Sequence, residues 1–170
     1  MLATAGESAG NVYLFGGVHL VKKGNSLQRK YLKDCWEYNE QHGWRKIADL
    51  PYTLAATPSP AYNTGQSKLL LFGGDDGLNA LKISELKDTH PGFRNDILSY
   101  NTITNSWSVA GKIPINKKAD SVANPHNSLY APVTTPLVIW NNNIVIAGGE
   151  ARPAVRSNRV LIAKPQHSGM

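Results

Sequence analysis

Short apolar runs that end in paired glycines recur three times along the chain: NVYLFGG at 11–17, KLLLFGG at 68–74 and NIVIAGG at 143–149. Each is too short for a helix and rich in branched or aromatic side chains, which predicts a β-strand stopped by Gly-Gly. A second patterned stretch follows each one: KDCWEYNEQHGW (33–44), NDILSYNTITNSW (95–107) and SNRVLIAK (157–164). Aligned on Asp34, Asp96 and Asn158, the copies advance in two steps of 62 residues, with Tyr38, Tyr100 and Ile162 four positions further on. A period this long, built of strands, marks a repeat architecture.

The repeating unit reads as a four-stranded antiparallel sheet, so the chain is expected to be all-β. Strand one follows a proline, as in PLVIWNN at 136–142, and strand two ends at Gly-Gly. The missing Cβ atoms there allow a sharp turn and a close approach of neighbouring units. Strand three carries the Asp…Tyr pattern. Strand four starts at Trp44 or Trp107, whose large ring is expected to pack between units. Unit boundaries fall at about 1–52, 53–115 and 131–165, the last without its outer strand. Residues 18–33, 75–94 and 150–157, between strands two and three, vary most in length. Insertions on one face of a repeat are where binding usually sits.

The shortest insertion, EARPAVRS, carries the densest chemistry. Glu150 stands beside Arg152 and Arg156, and Pro153 stiffens the backbone between them. Such a loop either closes on itself through a Glu–Arg ion pair or receives an anion on arginine and uses Glu150 as a base. His19 and His90 lie in the other insertions, and His126 lies further on; none matches a motif that gives it a role, and the loop histidines are expected to be solvated. GGDDG at 73–77 reads as turn chemistry, and ISELKD at 83–88 as a short helical turn.

Composition adds little. Eighteen basic against twelve acidic residues give +6, but the lysines are scattered, which suits an anionic small molecule better than nucleic acid. Cys35 is the single cysteine, so no intrachain disulfide forms; its strand position predicts a small core residue. No Cys-based metal site is suggested, and with no pair of histidines at ligand spacing a copper-radical site is disfavoured. No apolar run reaches the length of a transmembrane helix, and MLATAGESAG at the start lacks the regions of a signal peptide.

The Gly-Gly, Asp, Tyr and Trp pattern resembles the kelch repeat, which implies a β-propeller. GGEARPAVRS further resembles the motif of the kelch-type N-acetylneuraminate epimerases, the sialic acid mutarotases, with a cyclically permuted blade order. The resemblance implies part of a six-bladed ring, completed by further sequence or by a second chain, because three blades do not close. It implies Glu150 as proton acceptor, Arg156 as the grip on the sugar carboxylate and Arg152 as a second cation. Ala154 departs from the glycine usual in the motif. No metal or redox cofactor, nucleic acid or membrane partner is implied, and the compartment is periplasmic or secreted. The alternative is a non-enzymatic kelch propeller that binds a protein or carbohydrate ligand through its loops.

Overall fold

The computed structural model describes residues 1–118, 123 and 127–165. Among them, strands assemble into three antiparallel sheets and one small hairpin. Sheet 1 contains β1 (Thr4–Ser8), β2 (Asn11–Lys23), β3 (Ser26–Asn39) and β4 (Gly43–Ile47), in chain order. Sheet 2 repeats that order with β5 (Tyr62–Asn63), β6 (Lys68–Gly74), β7 (Arg94–Asn101) and β8 (Ser106–Lys112); a helical turn, α1 (Ile83–Leu86), lies between β6 and β7. Sheet 3 places β10 (Asn143–Ala147) between β9 (Leu137–Trp140) and β13 (Val160–Ala163). The hairpin of β11 (Glu150–Arg152) and β12 (Val155–Arg156) projects between β10 and β13.

The paired glycines explain the repeat physically. The first of each pair has φ of 55° at Gly16, 63° at Gly73 and 65° at Gly148. The second has φ of 102°, 117° and 101° at Gly17, Gly74 and Gly149. Two consecutive left-handed residues suit glycine almost alone. Space is short as well: a Cβ on Gly16 would sit 2.2 Å from the Leu54 carbonyl oxygen, and one on Gly74 2.6 Å from the Leu54 side chain. The tight approach lets Gly17 N–H donate to Leu54 O at 2.8 Å, tying sheet 1 to the segment that enters sheet 2.

Side-chain alternation then stacks the sheets. Tyr13, Phe15, Cys35 and Ile47 from one face of sheet 1 are buried with Leu69, Leu71, Leu98 and Tyr100 of sheet 2. Phe72 on the opposite face of sheet 2 joins Leu137, Ile144 and Ile146 of sheet 3. Cys35 is a core residue, and burial pushes its thiol up to about 12. Trp107 fills the space between sheets as its position predicts, with its ring 5.3 Å from Phe15 and its Nε1–H donating to Ala48 O at 3.0 Å.

Three expectations need correction. Trp44, the counterpart of Trp107, is 54% exposed, because its face of sheet 1 has no packed sheet against it among the described residues. Residues 18–33 form no loop: β2 runs past Gly-Gly and pairs with β3 as far as Lys23↔Ser26, making a long two-stranded arm. The third copy is also displaced by one residue. Val12↔Tyr38 and Leu69↔Tyr100 correspond to Ile144↔Ala163, so Ala163 rather than Ile162 takes the tyrosine position, and Arg159 the aspartate position. The slip lets Leu161 pack into the core while Ile162 stays 58% exposed.

Candidate functional site

The second strand two-to-three connection touches each of the other two. From the sheet 1 arm, Tyr31 donates its hydroxyl to Asp75 Oδ2 at 2.6 Å. Its ring lies so close over Gly77 that a Cβ there would meet it at 2.4 Å. Burial, reinforced by Asp75, pushes the Tyr31 hydroxyl up to about 12, so it stays protonated and a donor. Asp75 Oδ1 accepts Gly77 N–H at 2.9 Å and Asp76 Oδ1 accepts Leu78 N–H at 3.0 Å. GGDDG is thus turn chemistry, as its composition predicts, with Asp75 also serving as the anchor for Tyr31.

The third connection is the β11–β12 hairpin. Glu150 and Arg156 are directly paired across it, so their side chains share one face. Glu150 Oε1 accepts Ala154 N–H at 2.6 Å, across a turn in which Ala154 has a left-handed φ of 61°. The carboxylate thereby closes its own loop. Glu150 is also fixed through its backbone, which exchanges two hydrogen bonds with Val133 at 2.8 and 2.9 Å. Arg156 is exposed. Arg152 turns toward the second connection instead: Nη1 donates to Asp88 O at 2.6 Å, and the guanidinium lies 5.6 Å from the Tyr130 ring centroid.

The second connection and the start of β7 wall a cleft of about 350 Å³, lined by Asp75, Asp76, His90, Arg94, Asp96 and Lys117 among others. Arg94 stacks on Tyr52 at 4.0 Å and donates to Asp96 Oδ2 at 2.5 Å. Those hydrogen bonds hold the Asp96 carboxyl below its ordinary value. His90 corrects the expectation of a solvated loop residue: it is only 5% exposed, although His19 is exposed as expected. Burial lowers the His90 imidazole from its ordinary 6.5; Arg152 acts in the same direction and Asp75 against it. Proximity of His90 to the arginine hairpin had no sequence signal, because it depends on how α1 and the turn after it fold back. His126 lies outside the described residues. Among those residues, no group of three or more His, Cys, Asp or Glu is placed to hold a metal ion, and no helix is long and apolar enough to cross a membrane.

No family model matches the chain. It is similar to a protein named N-acetylneuraminate epimerase from Haemophilus influenzae strain 86-028NP, with 25% identity over 168 residues, covering 87% of this chain and 40% of the relative. The protein of the same name from strain PittEE matches at the same identity and coverage. The resemblance seen in GGEARPAVRS therefore extends along most of the chain. The chain spans about 40% of the length of these curated relatives. A solved structure titled "Structure of YjhT" superposes with a TM-score of 0.64 at 21% identity, over 99% of this chain and 53% of that one, which shows a shared fold.

Proposed function

We propose that the three sheets are successive blades of a kelch-type β-propeller, and that the complete ring interconverts the α and β anomers of N-acetylneuraminate. The carrying observation is the pairing of Glu150 with Arg156 on one face of a hairpin that Arg152 ties to the second strand two-to-three connection. Similarity to proteins named N-acetylneuraminate epimerase supports the choice of substrate.

In this reading Glu150 takes the proton from the anomeric hydroxyl while a second acid or a water protonates the ring oxygen. The ring C–O bond breaks, the open-chain keto form turns, and reclosure on the other face returns the proton. The Ala154 N–H on Oε1 orients the carboxylate and leaves Oε2 to face the sugar. Arg156, exposed and planar, is the bidentate partner for the substrate carboxylate. Arg152 adds positive charge while bracing the hairpin on Asp88. The blades correspond to about 1–52, 53–115 and 131–165, and further blades of a longer polypeptide complete the six-bladed ring.

Proton NMR of freshly released α-anomer tests the proposal directly. The complete protein accelerates equilibration, and Glu150→Gln lowers that acceleration by about 10²–10⁴-fold. Arg156→Ala mainly weakens binding. Equilibration at the buffer rate with the native protein would sink the mutarotase reading.

A further inference from the structure

We propose that the cleft over His90 is a sugar-hydroxyl subsite, in which His90 donates a hydrogen bond from Nε2 to the ligand. The inference rests on the mutarotase reading only for the identity of the sugar.

The imidazole is set up for this by its backbone. Gly92 N–H donates to His90 Nδ1 at 3.1 Å. A ring nitrogen that accepts a hydrogen bond has its lone pair engaged, so the neutral ring carries its proton on Nε2. The ring is held in place by Phe93, whose centroid lies 5.8 Å away, and its carrier turn is pressed under Tyr130, which leaves no room for a Cβ on Gly92. His90 is therefore a rigid, buried donor on the wall of the cleft. A hydrogen bond made from such a position discriminates strongly, because a ligand without the partner leaves the donor buried and unsatisfied.

The chemistry of the walls selects the ligand class. Asn79 and Asn95 offer both donors and acceptors, Asp76 offers carboxylate oxygens and Lys117 an ammonium. A hydroxyl both donates and accepts, so a mixed wall of this kind suits several hydroxyls better than one charged group. Three carboxylates, at Asp75, Asp76 and Asp96, are matched by three cations, at Arg94, Lys112 and Lys117. Arg94 is paired with both Asp76 and Asp96, so the wall carries no net charge to draw a ligand anion. In the mutarotase reading Arg156 takes the anionic end of an acidic sugar, and the neutral, mixed wall of the cleft suits its hydroxylated part. At about 350 Å³ the cleft is the size of one small-molecule site. Arg152 couples the two parts, because its hydrogen bond to Asp88 O holds the hairpin against the turn that leads into His90.

The test is calorimetric or NMR titration of the full-length protein with N-acetylneuraminate, comparing native, His90→Phe and His90→Gln. Phe keeps the ring but loses the donor, and raises Kd about tenfold or more; Gln supplies an N–H and stays within about threefold of native. Native affinity in His90→Phe, or equal losses in Phe and Gln variants of unchanged Tm, overturns the inference, as does the absence of binding by the native protein at millimolar sugar. If His90→Phe does not fold, Asn79→Leu on the cleft wall takes its place: a several-fold weaker Kd supports the subsite and an unchanged one rejects it. Acceleration that depends on Glu150, combined with binding indifferent to His90, rejects the subsite alone. His90-dependent binding without any acceleration rejects the mutarotase reading alone.

Discussion

The two faces of sheet 1 carry similar residues and meet different fates. One face buries Tyr13, Phe15, Cys35 and Ile47 against sheet 2. The other presents Val12, Leu14, Trp36, Tyr38 and Trp44, which the strand registers equate with Leu69, Leu71, Leu98, Tyr100 and Trp107 of sheet 2. Tyr100 is 1% exposed and Trp107 is wedged against Phe15, whereas Val12 is 42% exposed and the Trp44 ring rests at 5.2 Å from Tyr38. The repeat thus encodes which face is apolar, and the neighbouring sheet decides whether that face is dry. At the far end of the stack, Val138, Trp140 and Ile162 repeat the lesson, each about half exposed. Among the described residues, each end of the stack of sheets thus presents an exposed apolar face.

Paired truncations test that comparison most severely. Phe15→Ala empties a site enclosed by Tyr13, Tyr100 and Trp107, and is expected to cost about 3–5 kcal/mol in urea denaturation. Trp44→Ala on the open face is expected to cost less than about 1 kcal/mol in the same chain. Equal costs would mean that the face is covered in solution and would break the comparison. A Trp44→Ala cost that grows with protein concentration would sharpen it, by showing that a second chain supplies the cover.

A smaller pair contrasts two glycines that share a left-handed backbone. Gly43 at φ 69° has nothing within 4 Å of an added Cβ, so Gly43→Ala costs about 1 kcal/mol of backbone strain. Gly77 at φ 77° lies under the Tyr31 ring, so Gly77→Ala adds a steric clash and costs about 2–4 kcal/mol. Thermal melts of the two variants check the difference. Similar shifts would show that the sheet 1 arm does not hold Tyr31 on the second connection.

What the sequence revealed follows the same division between local and neighbour-dependent physics. Gly-Gly was legible because the conformation of each pair is a property of its own backbone. The strand pattern around Tyr100 was legible because apolar and polar residues alternate there. Val160–Ala163 is apolar throughout, so alternation did not set its register, and packing of Leu161 chose one residue further on. Glu150 and Arg156 stood out by spacing and motif. That the carboxylate seats itself on Ala154 N–H was not legible, since it follows from a left-handed alanine. The burial of His90 was not legible, because it depends on how the turn after α1 folds, with Gly92 and Phe93 brought against the ring.

The smallest effect, a pH dependence, separates the connections from the sheets. Burial lowers the folded-state pKa of His90, with Arg152 adding to the shift and Asp75 opposing it. The unfolded chain therefore binds the proton more readily. Stability from this residue is fully present above its ordinary 6.5 and is lost as pH falls through that value toward the lower folded one. Asp96, held down chiefly by Arg94, contributes stability above its ordinary 3.8 that is lost only as pH falls through a still lower value. Denaturation between pH 7 and 5 should thus show a slope that His90→Gln removes and Asp96→Asn leaves in place. A slope that survives His90→Gln would mean that the imidazole is not buried beside the arginine hairpin, and would remove the second connection from the contrast between covered and open surface.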